Sequence, residues 1–417
     1  THDLGVVAEI ADEVALMYLG RIVERGTVSA VLDNPQHPYT QGLLASMPRL
    51  DGDFKAPLEA IAGMVPPPTL KPKGCAFHPR CVRAVAGICD GVEPAQIETE
   101  LHHQVACHAY GAEAAQFSAA AARRQSKRVA AGRSSRKLSG AALLSVSQLD
   151  KHFPVRAGFL QRKVGSIRAV NGVSFDILAG ETLGLEADSG SMEYAAEGRA
   201  PVDLRQARGQ AARRLKSDIR MVFQDPSGSL NPRMRVRDII GEVLQVNGVG
   251  KAEIERRVQH LLLRVGLSPD YSERYPHAFS GGQRQRIAIA RALASNPQLV
   301  IADEAVSALD VSVQTQIINM MRQLQAELGL TYLFVSHDLG VVANISDRVA
   351  VMYAGRIVEL GPTEAIFRSP RHPYTEALLA AIPGRHQRGG GRRLRLEGHV
   401  PDPSRPQQGC PFAERCL

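Results

Sequence analysis

Short apolar runs separated by polar turns mark the strands of the second half of the chain. The segments VSQLDKHFPV, RAVNGVSFDIL and ETLGLE follow a domain start near Leu143 and predict β-strands. The runs QLVIADE (298–304) and TYLFVSHD (331–338) are typical of buried parallel strands. A further segment, RVAVMYAGRIVELG (348–361), predicts a β-hairpin.

Helical patterns lie between these strands. AEIERRVQHLLLRVGL (252–267) and SVQTQIINMMRQLQAELG (312–329) predict helices, and the second has an amphipathic pattern. Strands that alternate with helices predict an α/β fold whose sheet is covered on both faces.

The chain contains an internal repeat. Residues 1–48 match residues 336–383 at 29 of 48 positions without a gap, and GCAFHPRC (74–81) matches GCPFAERC (409–416) in the same register. Thr1 falls inside the repeated motif. We therefore expect two copies of one module, the first without its front and the second ending just past a Cys pair.

Composition changes along the chain suggest five regions. They are the tail of a first copy (1–48), a Cys- and Pro-rich extension (49–110), a basic linker (111–141), a second domain from which one loop is missing (142–384) and a shortened second extension (385–417). The net charge of +8 is concentrated in Arg-rich runs, which we interpret as solvated connectors and not as a nucleic-acid surface. No apolar run approaches the roughly 18–20 residues of a membrane span.

The stretch from Phe279 to Glu304 contains the most specific chemistry. Ser280, Gly281 and Gly282 precede a predicted helix, and backbone N–H groups at a helix N-terminus can hold a phosphate. Asp303 and Glu304 end an apolar strand, where one carboxylate can hold Mg²⁺ and the next can orient an attacking water.

Two further residues follow other predicted strands of the same sheet. His337 comes after TYLFVS and would contact a γ-phosphate, and Gln224 in MVFQDP would sense the metal and the water. Taken singly, a Gly-Gly pair is usually a turn and a lone His is usually structural. Together, at these strand ends, they predict one nucleotide site.

The set resembles the ATP-binding cassette (ABC) ATPases over residues 143–384, with 1–48 as the tail of a first cassette. The resemblance implies an ABC-type nucleotide-binding domain with a mixed sheet and a helical subdomain, which binds ATP and Mg²⁺. The residues that match the family's motifs are Ser280–Gln283 (signature), Asp303 and Gln224 (Mg²⁺), Glu304 (catalytic carboxylate), His337 (switch histidine), Asp310 in SALD (the loop toward the partner domain), Phe153 (stacking on adenine) and His2 (the switch histidine of the first copy).

A narrower resemblance depends on the ends of the two copies. HPYT at 37–40 and 372–375, each followed by GC-x-F-x-x-RC, is similar to the C-terminal extension of dipeptide/oligopeptide importer ATPases. This implies a peripheral protein on the cytoplasmic face of the plasma membrane, with two permease subunits as partners and a separate peptide-binding protein acting indirectly. No nucleic-acid partner is expected. The alternatives are a soluble ABC ATPase that acts on nucleic acid and a non-catalytic cassette that docks on the permease.

The phosphate loop of this family is incomplete in the chain. Ser189, Gly190 and Ser191 fit its first part, but Met192-Glu193-Tyr194 stands where Gly-Lys-Ser/Thr is needed to hold the triphosphate and Mg²⁺. The sequence therefore leaves enzymatic activity open, and we expect the purified chain not to hydrolyse ATP.

Four cysteines lie in the first extension. Cys75, Cys81, Cys89 and Cys107 have a spacing typical of neither a zinc ribbon nor a ferredoxin, but they share one loop-rich segment. The family resemblance implies a [4Fe–4S] cluster, with zinc or reduced thiols as alternatives. Nearby histidines that could replace a thiolate are His78, His102, His103 and His108.

Overall fold

A computed structural model describes residues 4–48, 52–54, 56–66, 70–111, 114–115, 117, 141–157, 162–183, 189–196, 199–204, 206–382, 398, 401 and 409–416. Its centre is a parallel sheet in the order β11-β10-β9, formed by β9 (Ile219–Val222), β10 (Leu299–Asp303) and β11 (Thr331–Val335). Thr182 forms a parallel bridge with Tyr332 on the outer side of β11. The buried parallel strands predicted from QLVIADE and TYLFVSHD are confirmed.

A second, antiparallel sheet covers one side of this centre. Its strands are β5 (Ala142–Ala157), β6 (Arg162–Leu178), β7 (Ser189–Tyr194) and β8 (Val202–Asp203), in the order β6-β5-β7-β8. Buried side chains of β5 and β6 pack with Leu299 and Leu333 of the parallel sheet in one apolar cluster. The two sheets therefore share a core.

Helices cover the other side. They are α5 (Pro226–Ser229), α6 (Val236–Val246), α7 (Lys251–Arg264), α8 (Gly281–Leu293) and α9 (Val311–Leu328), whereas Leu215 of α4 (Gly209–Asp218) packs against the cluster shared with the antiparallel sheet. The apolar faces of α6, α7, α8 and α9 form the largest buried cluster, together with Val300 and Ala302 of β10. The helices predicted at 252–267 and 312–329 are confirmed as α7 and α9. Gly329, with φ of 66°, ends α9 in a left-handed conformation that suits glycine.

The first module consists of α1 (Leu4–Ile10), the hairpin β1 (Glu13–Tyr18) and β2 (Arg21–Thr27), α2 (Val28–Asp33) and α3 (Pro38–Ala45). Two strands of the Cys-rich extension, β3 (Ile97–Glu100) and β4 (His103–Val105), extend the hairpin to a sheet in the order β1-β2-β4-β3. The extension otherwise contains 3₁₀ turns at His78–Arg80 and His108–Tyr110.

The second module repeats this arrangement with α10 (Leu339–Ile345), β12 (Arg348–Tyr353), β13 (Arg356–Pro362), α11 (Thr363–Arg368) and α12 (Pro373–Ala380). The predicted hairpin is confirmed, and within the described part of the chain it is a two-stranded sheet. No helix among the described residues has both the length and the apolar content needed to cross a bilayer.

Candidate functional site

Three polar side chains meet where the parallel strands end. Gln224 follows β9, Glu304 follows β10 and His337 follows β11. Gln224 Nε2 donates to Glu304 Oε2 over 2.7 Å, and His337 Nδ1 lies 3.2 Å from Glu304 Oε1. The three residues that the sequence predicted for catalysis are therefore in direct contact, at the sheet edge where ligands of open α/β sheets bind.

Glu304 is held in a special backbone conformation. Its φ is +44°, which is uncommon for a residue with a side chain, and its N–H donates to Val335 O over 3.0 Å. The side chain of His337 is 71% exposed, whereas that of Glu304 is 25% exposed. The carboxylate is thus partly shielded, with both oxygens engaged.

Asp303 is the last residue of β10 and is paired in register with Val335. Over the described parts of the chain, no three or more His, Cys, Asp or Glu side chains come together in a way that could hold a metal ion. The assignment of Asp303 and Gln224 as Mg²⁺ ligands therefore stays a prediction.

The signature segment forms the N-terminus of α8. Ser280 is the N-cap: its Oγ accepts from Gln283 N over 3.4 Å, and its own N–H donates to Gln283 Oε1 over 3.0 Å. This reciprocal capping box explains why Ser and Gln stand three residues apart. A Cβ on Gly282 would lie 2.4 Å from Val313 Cγ1, so only glycine allows α8 and α9 to approach this closely.

Asp310 caps the next helix. Its Oδ1 accepts from Val313 N over 3.1 Å and from Ser312 Oγ over 2.8 Å, at the start of α9. These bonds account for an acidic residue at this position. A role for Asp310 toward a partner domain stays a prediction.

Phe153 lies on the long strand β5, across from Ile167 of β6. Its ring is 52% exposed, and Lys151 Nζ lies 5.1 Å from the ring centroid. An exposed aromatic ring beside a cation is compatible with stacking on a base, although the structure contains no base.

Ser189, Gly190 and Ser191 do not form the expected loop. They begin strand β7, in which Ser189 pairs with Asp150 and Ser191 pairs with Ser147 of β5. An extended strand directs its N–H groups to neighbouring strands, whereas a phosphate loop wraps them around an anion. The loop expected here is therefore replaced by a strand, and His2 lies outside the described residues.

Comparison with known proteins agrees with this geometry. A family model described as "ABC transporter" matches residues 170–307. A second model, "Oligopeptide/dipeptide transporter, C-terminal region", matches residues 23–89 and again residues 358–417. Over residues 170–307 the chain is therefore similar to the ABC transporter family.

Curated relatives of the chain carry the name "Glutathione import ATP-binding protein GsiA". The chain is 41% identical to that of Pectobacterium atrosepticum over 425 residues, which is 97% of this chain and 59% of the relative. It is 43% identical to that of Escherichia coli O157:H7 over 400 residues, which is 92% of this chain and 55% of the relative. The chain thus spans less than two thirds of the length of these relatives.

Two solved structures are also similar to part of this chain. The protein cbiO1 from Clostridium perfringens, described as part of the ABC transporter complex cbiONQ, is 25% identical with a TM-score of 0.45, covering 55% of this chain and 91% of that chain. An ATP-binding cassette bound to ADP and Pi in a post-hydrolysis state is 23% identical with a TM-score of 0.45, covering 53% of this chain and 98% of that chain.

The cysteines are separate thiols. Cys89 and Cys107 are buried, and Cys75 and Cys81 are half-buried. Burial raises the pKa of Cys81 to about 12 and that of Cys107 to about 11, and the other thiols of the group add to both shifts. The four side chains are therefore neighbours, but they do not form a metal-holding group within the described residues. The predicted iron–sulfur or zinc site receives no support from this geometry.

Three of the four histidines considered as ligands have other partners. His78 Nδ1 lies 2.9 Å from Cys75 O, His108 Nε2 lies 2.9 Å from Val92 O, and His103 Nε2 lies 2.8 Å from Glu24 Oε1. These contacts favour structural roles for the imidazoles.

The role of Glu24 was missed from the sequence. It is fully buried and also accepts from Gln36 N over 2.7 Å and His37 N over 3.0 Å. His37 Nδ1 in turn accepts from Tyr39 N over 3.0 Å and caps α3, so that HPYT begins a helix. The second copy has a glutamate at the matching position 359. The presence of the same residue in both copies was the feature of the sequence that could have indicated its role.

Proposed function

We propose that the chain is the ATP-binding, energy-coupling subunit of a peptide importer. The observation that carries the proposal is the combination of an ABC sheet edge, at which Gln224, Glu304 and His337 meet, with two copies of the oligopeptide-transporter region in the same chain. The printed name of the relatives, which specifies glutathione import, supports a peptide as the transported class.

The partners that follow from this proposal are two permease subunits in the plasma membrane and, indirectly, a peptide-binding protein. The chain would lie on the cytoplasmic face as a peripheral subunit. To test this, the tagged chain and two peptide-importer permease subunits from the same genome would be expressed together and purified in detergent. We expect the three proteins to purify together, and retention of the chain in the soluble fraction without either permease subunit would contradict the proposal.

ATP and Mg²⁺ fit part of the site. In the proposed arrangement Asp303 and Gln224 would hold Mg²⁺, Phe153 would stack on adenine, and the start of α8 would face the phosphates of a nucleotide held by another cassette. Bound Mg²⁺ would neutralise charge on the phosphates. Glu304 would orient water, and its contacts with Gln224 and His337 would fix the direction of the carboxylate.

The phosphate-holding half of the site does not fit. Ser189–Ser191 lie in β7, and Met192, Glu193 and Tyr194 continue the same strand. Without the usual lysine and the N–H groups of a loop, several charge-assisted hydrogen bonds of about 1.5–3 kcal/mol each are lost. We therefore propose that this chain by itself does not turn over ATP and acts as a non-catalytic cassette that docks on the permease.

A phosphate-release assay tests this second part separately from docking. We expect no release above background for the chain, and no difference between the chain and its Glu304→Gln variant. Turnover that Glu304→Gln abolishes would overturn the proposal of inactivity while leaving the importer assignment intact.

An iron–sulfur cluster or a zinc ion at the four cysteines is a proposal that comes from the family resemblance alone. In the described geometry the thiols do not fit a metal ion, and burial disfavours the thiolate form that binds metals. Anaerobic purification followed by visible absorbance and by iron, zinc and sulfide analysis tests it. A chain without metal and with all six of its thiols titratable in denaturant would support reduced structural cysteines.

A further inference from the structure

A segment of the first extension lies along the second cassette. We call residues 53–54 and 56–64 the strap. After α3 of the first module, the strap runs beside α9 and α10, and side chains of these helices donate to its backbone carbonyls. The bonds are Asn344 Nδ2 to Phe54 O (3.2 Å) and to Ala56 O (3.3 Å), Arg322 Nη1 to Ala56 O (3.2 Å), Asn319 Nδ2 to Leu58 O (2.8 Å), and Gln316 Nε2 to Ile61 O (2.5 Å) and to Gly63 O (3.0 Å).

The donors on α9 form a row. Thr315, Gln316, Asn319 and Arg322 are spaced so that they share one face of a helix. Thr315 Oγ1 donates to Ser46 O over 2.8 Å, just before the strap begins. One face of α9 therefore contacts an extended chain through its carbonyl groups, in the manner of a peptide-binding surface.

Apolar side chains anchor the strap in three separate clusters. Phe54 is 6% exposed and packs on Phe367, with ring centroids 5.6 Å apart. Leu58 and Met64 pack against the large helical core of the second cassette, whereas Ile61 belongs to the core of the first module. The strap thus joins the packing of the two halves.

A chain of polar contacts crosses the strap from the Cys-rich extension to the signature helix. Arg80 lies between Cys75 and Cys81 in the sequence, and its side chain is buried. Its Nη2 donates to Ile61 O over 3.3 Å, and its Nε donates to Ala62 O over 3.2 Å. Gln316 donates to the same Ile61 carbonyl from the other side. Its Oε1 accepts from Arg286 Nη2 of α8 over 3.0 Å.

A second contact joins the end of the strap to the signature itself. Gln283 Nε2 lies 3.3 Å from Met64 Sδ, while Gln283 Oε1 completes the capping box of α8. The orientation of the Gln283 amide therefore depends on the strap as well as on Ser280.

We propose that the strap is the device by which the Cys-rich extension of the first half orients the signature helix of the second cassette. Arg80, the Ile61 carbonyl, Gln316 and Arg286 act as positioning groups in series. The inference concerns contacts between the two halves, and it holds whether or not the chain binds ATP.

The test uses the full chain and two readouts. Chymotrypsin cleavage after Leu58, followed by mass spectrometry, reports release of the strap, and amide hydrogen exchange at 284–288 reports the stability of the first turns of α8. Gln316→Leu removes two bonds to the strap and the partner of Arg286. We expect the cleavage rate to rise by about 30-fold and the exchange rate by about fivefold, because two hydrogen bonds to the strap and one to Arg286 are lost and each changes an opening equilibrium by about fivefold.

Two further variants separate transmission from general damage. Gln323→Leu is the matched control, because Gln323 lies on the same helix but is exposed and bonds only to Glu327 among the contacts described. We expect both rates to stay within about twofold of the parent. Arg80→Met removes two hydrogen bonds from the extension side without touching α8, and we expect the cleavage rate to rise by about 30-fold and the exchange rate by about fivefold.

The outcomes are decisive in either direction. Faster cleavage together with faster exchange in Arg80→Met would establish the coupling, even if Gln316→Leu failed to fold. Faster cleavage with unchanged exchange at 284–288 would overturn the orienting role. Unchanged cleavage in both variants would contradict the claim that these hydrogen bonds hold the strap on the second cassette.

Discussion

The two hairpin modules share their internal geometry but differ in what covers them. Each hairpin has a register shift at the same place, between Leu16 and Met17 in the first copy and between Val351 and Met352 in the second. In each copy two tyrosines, a histidine and a phenylalanine from the distant GC-x-F-x-x-RC segment pack together. The matching ring-centroid distances are 5.0 and 4.6 Å for Tyr18–Tyr39 and Tyr353–Tyr374, 5.2 and 5.2 Å for Tyr18–Phe77 and Tyr353–Phe412, and 5.8 and 5.7 Å for His37–Phe77 and His372–Phe412.

The difference lies at the glutamate that holds the HPYT turn. Glu359 accepts from Arg371 N and His372 N, just as Glu24 accepts from Gln36 N and His37 N. Among the residues that the structure describes, only Glu24 is also covered by a further strand, β4, whose His103 contacts its carboxylate, and both of these side chains are fully buried. The HPYT motif and its glutamate therefore determine the local hydrogen bonds. The covering strand β4 determines how much these bonds contribute to the free energy of local unfolding.

The largest expected effect comes from removing this buried carboxylate. Glu24→Ala leaves two backbone N–H groups and His103 without an acceptor, and loss of one partner from a buried charged set costs about 3–5 kcal/mol. Glu359→Ala should cost about 1–2 kcal/mol, because water can reach its partly exposed site. Hydrogen exchange of the amides at 36–41 and 371–376 measures both local stabilities.

Far-UV circular dichroism of each variant is the control for global unfolding. Equal losses in the two copies would contradict the view that β4 sets the difference.

The next effect concerns the paired cysteines. Cys410 and Cys416 are exposed, whereas their counterparts Cys75 and Cys81 are half-buried. Burial raises the pKa of Cys81 to about 12, so its thiolate is scarce near neutral pH. We expect alkylation of Cys81 at pH 8 to be at least about 100-fold slower than that of Cys416.

Peptide mapping after timed treatment with iodoacetamide gives the individual rates, and the same treatment in denaturant should make them equal. Comparable rates in the native chain would contradict the burial described for the first pair.

Acid should weaken the first HPYT turn. Burial lowers the pKa of His37 from 6.5 to about 4, so the unfolded turn binds a proton that the folded turn does not. Stability is therefore complete above about pH 6.5 and falls as the pH drops toward 4, by on the order of 2 kcal/mol at pH 5. Exchange of the Tyr39 amide, corrected for the intrinsic effect of pH, measures the loss.

His37→Asn provides the control, because asparagine can cap a helix but does not titrate in this range. Persistence of the same pH dependence in His37→Asn would assign it to another group.

The smallest effect tests what the two copies share. Phe77→Leu and Phe412→Leu each remove aromatic edge contacts from a ring that is 2% and 1% exposed, respectively. We expect a loss of about 1 kcal/mol in each copy, since an aromatic pair contributes about 0.5–1.5 kcal/mol beyond its buried area. Tyrosine fluorescence during urea unfolding gives the values, with Phe223→Leu, which changes an exposed ring, as the control.

Features of the chain that depend on neighbouring residues could be predicted from the sequence. The apolar run before Asp303 and the Ser-Gly-Gly before α8 are local patterns, and the order of the parallel strands then brings Gln224, Glu304 and His337 to one edge. The contact between Glu24 and His103, which are 79 positions apart, has no local pattern. The position of the strap could not be predicted either, because its carbonyl groups, which make most of its polar contacts, are common to every residue type. Ser189–Ser191 fit the start of a phosphate loop by sequence but lie in a strand, because a short Ser-Gly-Ser sequence can form either structure.

The missing side chain at Gly282 has a mechanical consequence. The starts of α8 and α9 touch with no room for a methyl group, so a displacement of one helix must carry the other with it. A segment that packs on α9 therefore also constrains the position of α8, because the starts of the two helices are in direct contact.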